Sequence, residues 1–487
     1  VHFRQDEMTP RRLFVLVLFA AILAMSLGPL ADPDFWWHLR AGQWMVEHRL
    51  ILHQDIFSFT RAGQPWIAHE WLAEVIFYLL YRLGGTGLLV LFFALLITAV
   101  FALLYLRSDG KPYLAGFALV LGFLATAPLL GVRPQMFTFL LGNLYWYLLE
   151  RYRREGKWQW LVPLPLLMVL WVNLHGGYAL GVFLIGVFGL EAVVECWRRR
   201  QEQEAYRYRR QVAWLGIALL TSTLAVMLNP NGARMYRYPF ETLGSPTMQT
   251  YIQEWFSPDF HLSYWQPLAI LLIATLLIAL FSSPRLSLAN ALLLAFFCYA
   301  ALRSGRHVQF FVLAAVPVLS AGGEQICQKY FPRLATRSEA RRGQNALAVA
   351  LAVVLGLALA GRYRMVLRQQ EISEREKFPV EALAWLEQHQ PSPNLYNTYD
   401  WGGYLIWRLY PQYRVFIDGR ADLYGDAFIE EFLSIYRAQA GWEKQLEHYE
   451  VRTVLIQPSA LLAQALQQSD AWTKAYEDEI AVIFIRR

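Results

Sequence analysis

Leu13–His48 reads LFVLVLFAAILAMSLGPLADPDFWWHLRAGQWMVEH, an apolar run that ends directly in two aspartates and an aromatic, mixed-polarity stretch. The uncharged part, Leu13–Ala31, is close to the length of about 20 residues that crosses a hydrocarbon core of about 30 Å. Arg11 and Arg12 precede it, as they would on a cytoplasmic side. A secretory leader has similar features, and Gly28-Pro29-Leu30-Ala31 weakly resembles a cleavage region. About ten further apolar runs follow, however, and an uncleaved first helix accounts for all of them together.

Moving outward, spans are expected near 13–31, 86–106, 113–131, 135–150, 159–173, 177–196, 212–228, 266–282, 286–302, 307–322 and 345–361. Composition agrees, because 56% of residues are hydrophobic and mean hydropathy is +0.28. Only 17% are charged, against about 25% in a soluble domain. With the N-terminus inside, the cytoplasmic loops and leader carry about 21 Lys or Arg and the opposite loops about 9, the bias that sets topology. This explains the net charge of +6 without a nucleic-acid partner. Cys196, Cys298 and Cys327 form no pattern of a disulfide framework or thiolate metal site.

The fold class expected is a polytopic α-helical membrane protein with about eleven transmembrane helices over 1–361 and a C-terminal extracytoplasmic α/β domain over 362–487. The first external loop, 32–85, holds two interfacial helices. Trp66–Leu83 is apolar enough to tempt a span assignment, but it contains His69, Glu70, Glu74 and Arg82, and counting it would move the basic loop at Arg151–Lys157 outside. The localisation that follows is the cell (inner) membrane, multi-pass, with a cytoplasmic N-terminus.

This topology brings several polar stretches to the outer side: Asp32–His38, Val132–Gln135, Asn173–Gly177, Asn229–Gly232 and Arg303–His307. Ionisable groups near bilayer depth are costly and mark functional paths. The phrase DPDFWWHLRAGQWMVEH (Asp32–His48) followed by WIAHEWLAEVIFYLLYRLGG (Trp66–Gly85) resembles bacterial membrane proteins of the GT-C class of glycosyltransferases. That class includes protein O-mannosyltransferases, aminoarabinose transferases of lipid A and oligosaccharyltransferases. The resemblance covers the membrane region in layout and the first external loop in motif.

What the resemblance implies is a polyprenyl-phosphate-linked sugar donor and transfer to an extracytoplasmic acceptor, whether protein, lipid or glycan. It also implies a catalytic or metal-binding carboxylate just after the first span. Asp32 and Asp34 hold that place, and the Asp-Glu pair of the O-mannosyltransferases is absent, so which aspartate acts and whether Mg or Mn is needed stay open. Two other classes of function fit the same layout: a noncatalytic subunit of a membrane assembly, and a transporter or flippase for lipid-linked sugars. No internal repeat of the kind transporters carry is evident in the sequence.

The chemistry requires a base for the acceptor hydroxyl and cations for the leaving phosphate. Asp34 is the expected base, with Asp32 as its neighbour or a metal ligand. The alternative is that an aspartate here caps the helix starting near Phe35. Glu70 is a third catalytic candidate, through acceptor orientation or a metal shared with Asp34; His69-Glu70 lacks the second His of a zinc helix, since Ala73 stands at i+4. Arg303, Arg306, His307 and Arg133 are candidates for donor-phosphate binding, against the alternative of headgroup snorkelling. His38, His69 and His175 are candidates for lining the cavity. In the C-terminal domain, Asp400, Asp418 and Arg420 follow strand ends and are candidates for acceptor recognition, with an internal Arg–Asp ion pair as the competing reading. No Walker motif or Gly-x-Gly-x-x-Gly is present to suggest a nucleotide.

Overall fold

The computed structural model describes residues 9–108, 112–201, 205–282, 286–331 and 344–487. Parts of the basic loops that set the expected orientation, including Lys111 and Arg333–Arg342, lie outside the described residues. Every stretch expected to span falls largely on a helix: Pro10–Ser26, Trp71–Arg107, Pro112–Thr126, Gln135–Glu155, Pro163–Leu174, Ala179–Arg198, Ala205–Ala225, Gln266–Phe281, Leu288–Arg303, Val308–Tyr330 and Gln344–Lys377. Among the described residues, seven helices are long and apolar enough to cross a membrane by length and composition. Trp158–Leu174 and Leu288–Arg303 are apolar but shorter. The chain is a multi-pass membrane protein.

Two compact units divide it. The first comprises Val1–Gly28, Val90–Leu228 and Gln253–Val366. Many outward-facing residues of its helices are apolar, as Leu166, Leu220, Ile273, Leu276 and Leu280 illustrate by being exposed. In water such faces would be a liability; in a bilayer they are the solvated surface. Helix Ala179–Arg198 packs on Ala205–Ala225, and Val308–Tyr330 packs on Pro112–Thr126 and Leu288–Arg303. Among the described residues, Arg107 and Glu150 form a buried ion pair between these helices. Arg107 Nε and a terminal nitrogen donate to both oxygens of Glu150 at 3.2 and 3.1 Å, and Arg107 also donates to Asn143 Oδ1 at 2.9 Å.

The second unit gathers Pro29–Leu89 and Asn229–Ile252 with Leu367–Arg487. The first external loop, expected with the membrane region, therefore shares a unit with the C-terminal segment. Its sheet has the order β2-β1-β3-β5-β4, where β1 is Asn394–Asn397, β2 Arg414–Val415, β3 Thr453–Ile456, β4 Trp472–Glu477 and β5 Val482–Arg486. β1 runs parallel to β2 and β3, while β5 is antiparallel to β3 and β4. The fully buried Thr-Val-Leu-Ile of β3 suits a central position. β4 was not anticipated from sequence, because Trp-Thr-Lys-Ala-Tyr-Glu is largely exposed, as an edge strand can be.

The outer edge of β2 is not bare. Val415 N–H donates to Phe57 O at 3.1 Å and Phe59 N–H donates to Val415 O at 3.1 Å, so the first external loop extends the sheet. Helix Phe35–His48 in turn packs on helix Gly402–Leu409, with Trp36 edge-on to Tyr404 at 5.1 Å. Within the external loop, a Cβ at Gly42 would sit 2.5 Å from the carbonyl carbon of Glu74. Glycine there lets helix Phe35–His48 lie directly against the start of helix Trp71–Arg107. That second helix is broken at Gly84 and Gly85, whose backbone angles are non-helical, so the polar turns before the break are separate from the apolar span after it.

Candidate active site

Asp34 occupies the position before helix Phe35–His48, yet its side chain makes no capping bond. The turn is closed by its neighbour instead, as Asp32 Oδ1 accepts the Asp34 N–H at 3.0 Å. Asp34 Oδ1 accepts the indole N–H of Trp37 at 3.2 Å, which one helical turn places on the same face. The carboxylate also lies against the backbone of Gly419: a Cβ there would come within 2.7 Å of Asp34 Cγ and 3.2 Å of Oδ2. The loop Asp418–Asp422 thus closes directly on the aspartate that follows the first helix.

Beside it, buried acids and imidazoles form a continuous row. His38 Nδ1 is 3.2 Å from Glu74 Oε1, and its Nε2 is 3.7 Å from Glu70 Oε2. Glu70 Oε1 is 3.1 Å from His69 Nε2, which also meets the Tyr238 hydroxyl at 2.9 Å. Burial opposes charge on His38, but the Glu74 hydrogen bond and the fields of Glu70, Glu74 and Asp34 outweigh it and raise its pKa. His69 behaves alike: burial lowers its pKa, and Glu70, Asp422 and a bond to the Ile67 carbonyl more than restore it. Tyr399, near Asp34, Asp418, Asp400 and Asp422, is pushed well above the ordinary phenol range by burial and then by those carboxylates, so it stays a proton donor.

Arg420 is fully buried. Its Nε and Nη2 donate to the two oxygens of Asp418, both at 2.7 Å, and Nη1 lies 2.8 Å from Asp55 Oδ1. Asp418 also accepts from the Tyr424 hydroxyl at 2.7 Å. The geometry is that of the internal ion pair weighed above: Arg420 and Asp418 shape the loop behind Asp34, and the guanidinium charge is taken up by the protein. Asp400 is exposed at the end of β1.

The remaining candidates lie in the other unit. Arg133 forms an ion pair with Glu254, and Arg306 Nε is 3.8 Å from the same carboxylate. Arg306 also stacks over Trp255 at 4.8 Å. Although burial works against it, the two arginines hold the Glu254 carboxyl below its usual range. Two cations on one anion leave a net positive charge. Arg303 is exposed, and His307 Nδ1 is buried without a hydrogen-bond partner among the described residues. His175 Nδ1 accepts from Gly177 N–H at 3.0 Å and from the Thr138 hydroxyl at 2.7 Å, and Thr138 accepts from Trp171 Nε1 at 2.7 Å. This places the His175 proton on Nε2.

Sequence reasoning named Asp34, Glu70, His38, His69, Asp418 and Arg420, which the second unit does bring together. It missed Asp55, whose carboxylate also accepts from the N–H groups of Phe57 and Ser58 at 3.1 Å. An aspartate three residues before a serine is the local signal for such a turn. It missed Gly419 and Tyr399 as well. Among the described residues, no group of three or more His, Cys, Asp or Glu side chains is arranged to hold a metal ion. No step below runs through a metal.

No protein-family model matches the chain, and no curated protein matches its sequence. Solved structures do. The oligosaccharyltransferase AglB from Archaeoglobus fulgidus, in complex with an inhibitory peptide and a dolichol-phosphate, is similar with a TM-score of 0.55 at 12% identity, over 91% of this chain and 69% of that one. An Archaeoglobus fulgidus oligosaccharyltransferase in the apo form gives 0.53 at 13% identity over the same shares. The arabinofuranosyltransferase AftD from Mycobacteria gives 0.50 at 14% identity, over 99% of this chain and 40% of that one. The chain has the GT-C fold. At these identities the likeness is one of fold, and it agrees with the architecture expected from the first helix and its aspartates.

Proposed function

We propose that this GT-C-fold protein is a glycosyltransferase moving a sugar from a polyprenyl-phosphate-linked donor to an extracytoplasmic acceptor. The observation that carries this reading is Asp34: a carboxylate between the first membrane helix, Pro10–Ser26, and helix Phe35–His48, not used as a cap, oriented by Trp37 and enclosed by the Gly419 loop. In the proposed step the acceptor hydroxyl gives its proton to Asp34 as its oxygen attacks the anomeric carbon. The bond from that carbon to the phosphate oxygen breaks, and polyprenyl phosphate leaves as the anion. Arg133 and Arg306 supply the chemistry to neutralise it; this assignment rests on charge and on their place at the outer ends of spans.

The bias of about 21 basic residues against about 9 supports a cytoplasmic N-terminus in the cell membrane and an extracytoplasmic C-terminal segment. The test is transfer of radiolabelled sugar from a mixed polyprenyl-phosphate donor pool in proteoliposomes, comparing wild type, Asp34→Asn and Arg306→Ala. Loss of transfer in both variants with folding intact supports the reading. Absence of transfer by wild type across donors overturns it in favour of a noncatalytic subunit. Repeating the assay with Mg, Mn or a chelator decides the metal requirement.

A further inference from the structure

A cavity of about 380 Å³ opens in the second unit beside the Tyr238–His69–Glu70 row, within the range of roughly 300–1,000 Å³ typical of small-molecule sites. The first external loop, the Asn229–Ile252 segment and the loop after β2 all contribute walls. Six side chains set its chemistry: Trp66, Tyr238, Glu241, Met248, Asp422 and Asp426. Among the described residues no Lys or Arg lines it.

Its three carboxylates are in different states. Asp426 accepts the Ser245 hydroxyl at 2.6 Å. Glu241 faces the exposed Arg237 at 3.4 Å. Asp422 is exposed on the cavity wall, and desolvation raises its pKa; His69 and Arg420 act against that rise, and Glu70 adds to it. Trp66 is only 4% exposed. Its ring lies edge-on to Trp37 at 5.7 Å and under the Arg420 guanidinium at 4.8 Å, and its indole Nε1 has no hydrogen-bond partner among the described residues.

Aromatic walls and carboxylate acceptors complement a ring with apolar faces and an edge of hydroxyl or amine donors. A phosphorylated or carboxylated ligand would instead meet three like charges. We propose that this cavity binds a neutral or amine-bearing sugar unit of the acceptor and rejects anionic sugars. This rests on the glycosyl-transfer reading above, because Trp66 connects the cavity to Trp37, whose N–H donates to Asp34.

The test is saturation-transfer NMR on the full chain in nanodiscs with glucosamine, glucose and glucose 6-phosphate. Glucosamine and glucose give signals, and glucose 6-phosphate gives one weaker by about fivefold or more. Asp422→Asn weakens glucosamine binding by about fivefold. Should that variant not fold, Glu241→Gln, at an exposed site, gives a change in the same direction. Equal binding of glucose 6-phosphate and glucose overturns the proposal, as does glucosamine binding unchanged in the variants. Sugar binding that persists where proteoliposomes show no transfer leaves the cavity standing and removes the transferase reading. Intact transfer without binding of any of the three sugars removes the cavity.

Discussion

Replacing Gly419 by alanine tests the enclosure of Asp34 most directly. The new methyl carbon would fall 2.7 Å from Asp34 Cγ and 3.2 Å from Oδ2, where ordinary contacts are 3.4–4 Å. Its backbone is outside the left-handed region, so alanine costs nothing in conformation there and acts only by contact. The overlap is worst at Asp34 Oδ1, so the carboxylate or the loop must shift by more than about 1 Å, and a 1 Å misplacement of a reacting group already costs about 100-fold in rate. Overpacking of this kind also costs about 1–3 kcal/mol in stability. The assay is sugar transfer in proteoliposomes alongside thermal unfolding in detergent. Gly419→Ala should fold with a modestly lowered Tm and lose about two orders of magnitude in transfer. Full transfer in a folded variant would show that the Asp34 carboxylate need not be held where the loop confines it.

Further outcomes follow from the buried charges. Arg420→Gln leaves Asp418 and Asp55 as uncompensated buried carboxylates and should destabilise the chain by about 3–5 kcal/mol, read as a fall in Tm. Glu150→Gln should destabilise by a comparable amount through Arg107, while the pair Arg107→Met with Glu150→Leu should recover most of the loss. His38 has a folded pKa raised above its ordinary 6.5. The stability it contributes is full below that value and is lost as pH rises through the higher folded pKa. Thermal unfolding from about pH 6 to about pH 9 should show this decline in wild type and a flatter profile in His38→Asn.

The membrane architecture was legible because its signal is long and local: runs such as Leu13–Ala31 need no partner to be recognised. Asp34 and Glu70 were legible for a related reason, since charge beside an apolar run stands out. The contacts that complete the site were not. Arg420 meets Asp55 across hundreds of residues of chain, and no local pattern announces that pairing. Gly419 looks like any turn glycine until Asp34 is seen against it. Glu74 reads as one charge on an amphipathic helix, and only Gly42, by letting two helices touch, brings it to His38. Arg133 and Arg306 stand out as charges at span ends, but nothing local announces that both meet Glu254.

The strand-like pairing of Phe57–Phe59 with Val415 bears on how this chain can be dissected. Cut away from the external loop, the segment after Leu367 would keep its sheet but lose the cover on β2, and Arg420 would lose one of its two carboxylates. An exposed edge invites other chains to pair with it, so such a fragment should clump rather than behave as a free-standing module. The loop and the C-terminal segment are one inheritance: a change in either must be tolerated by the other.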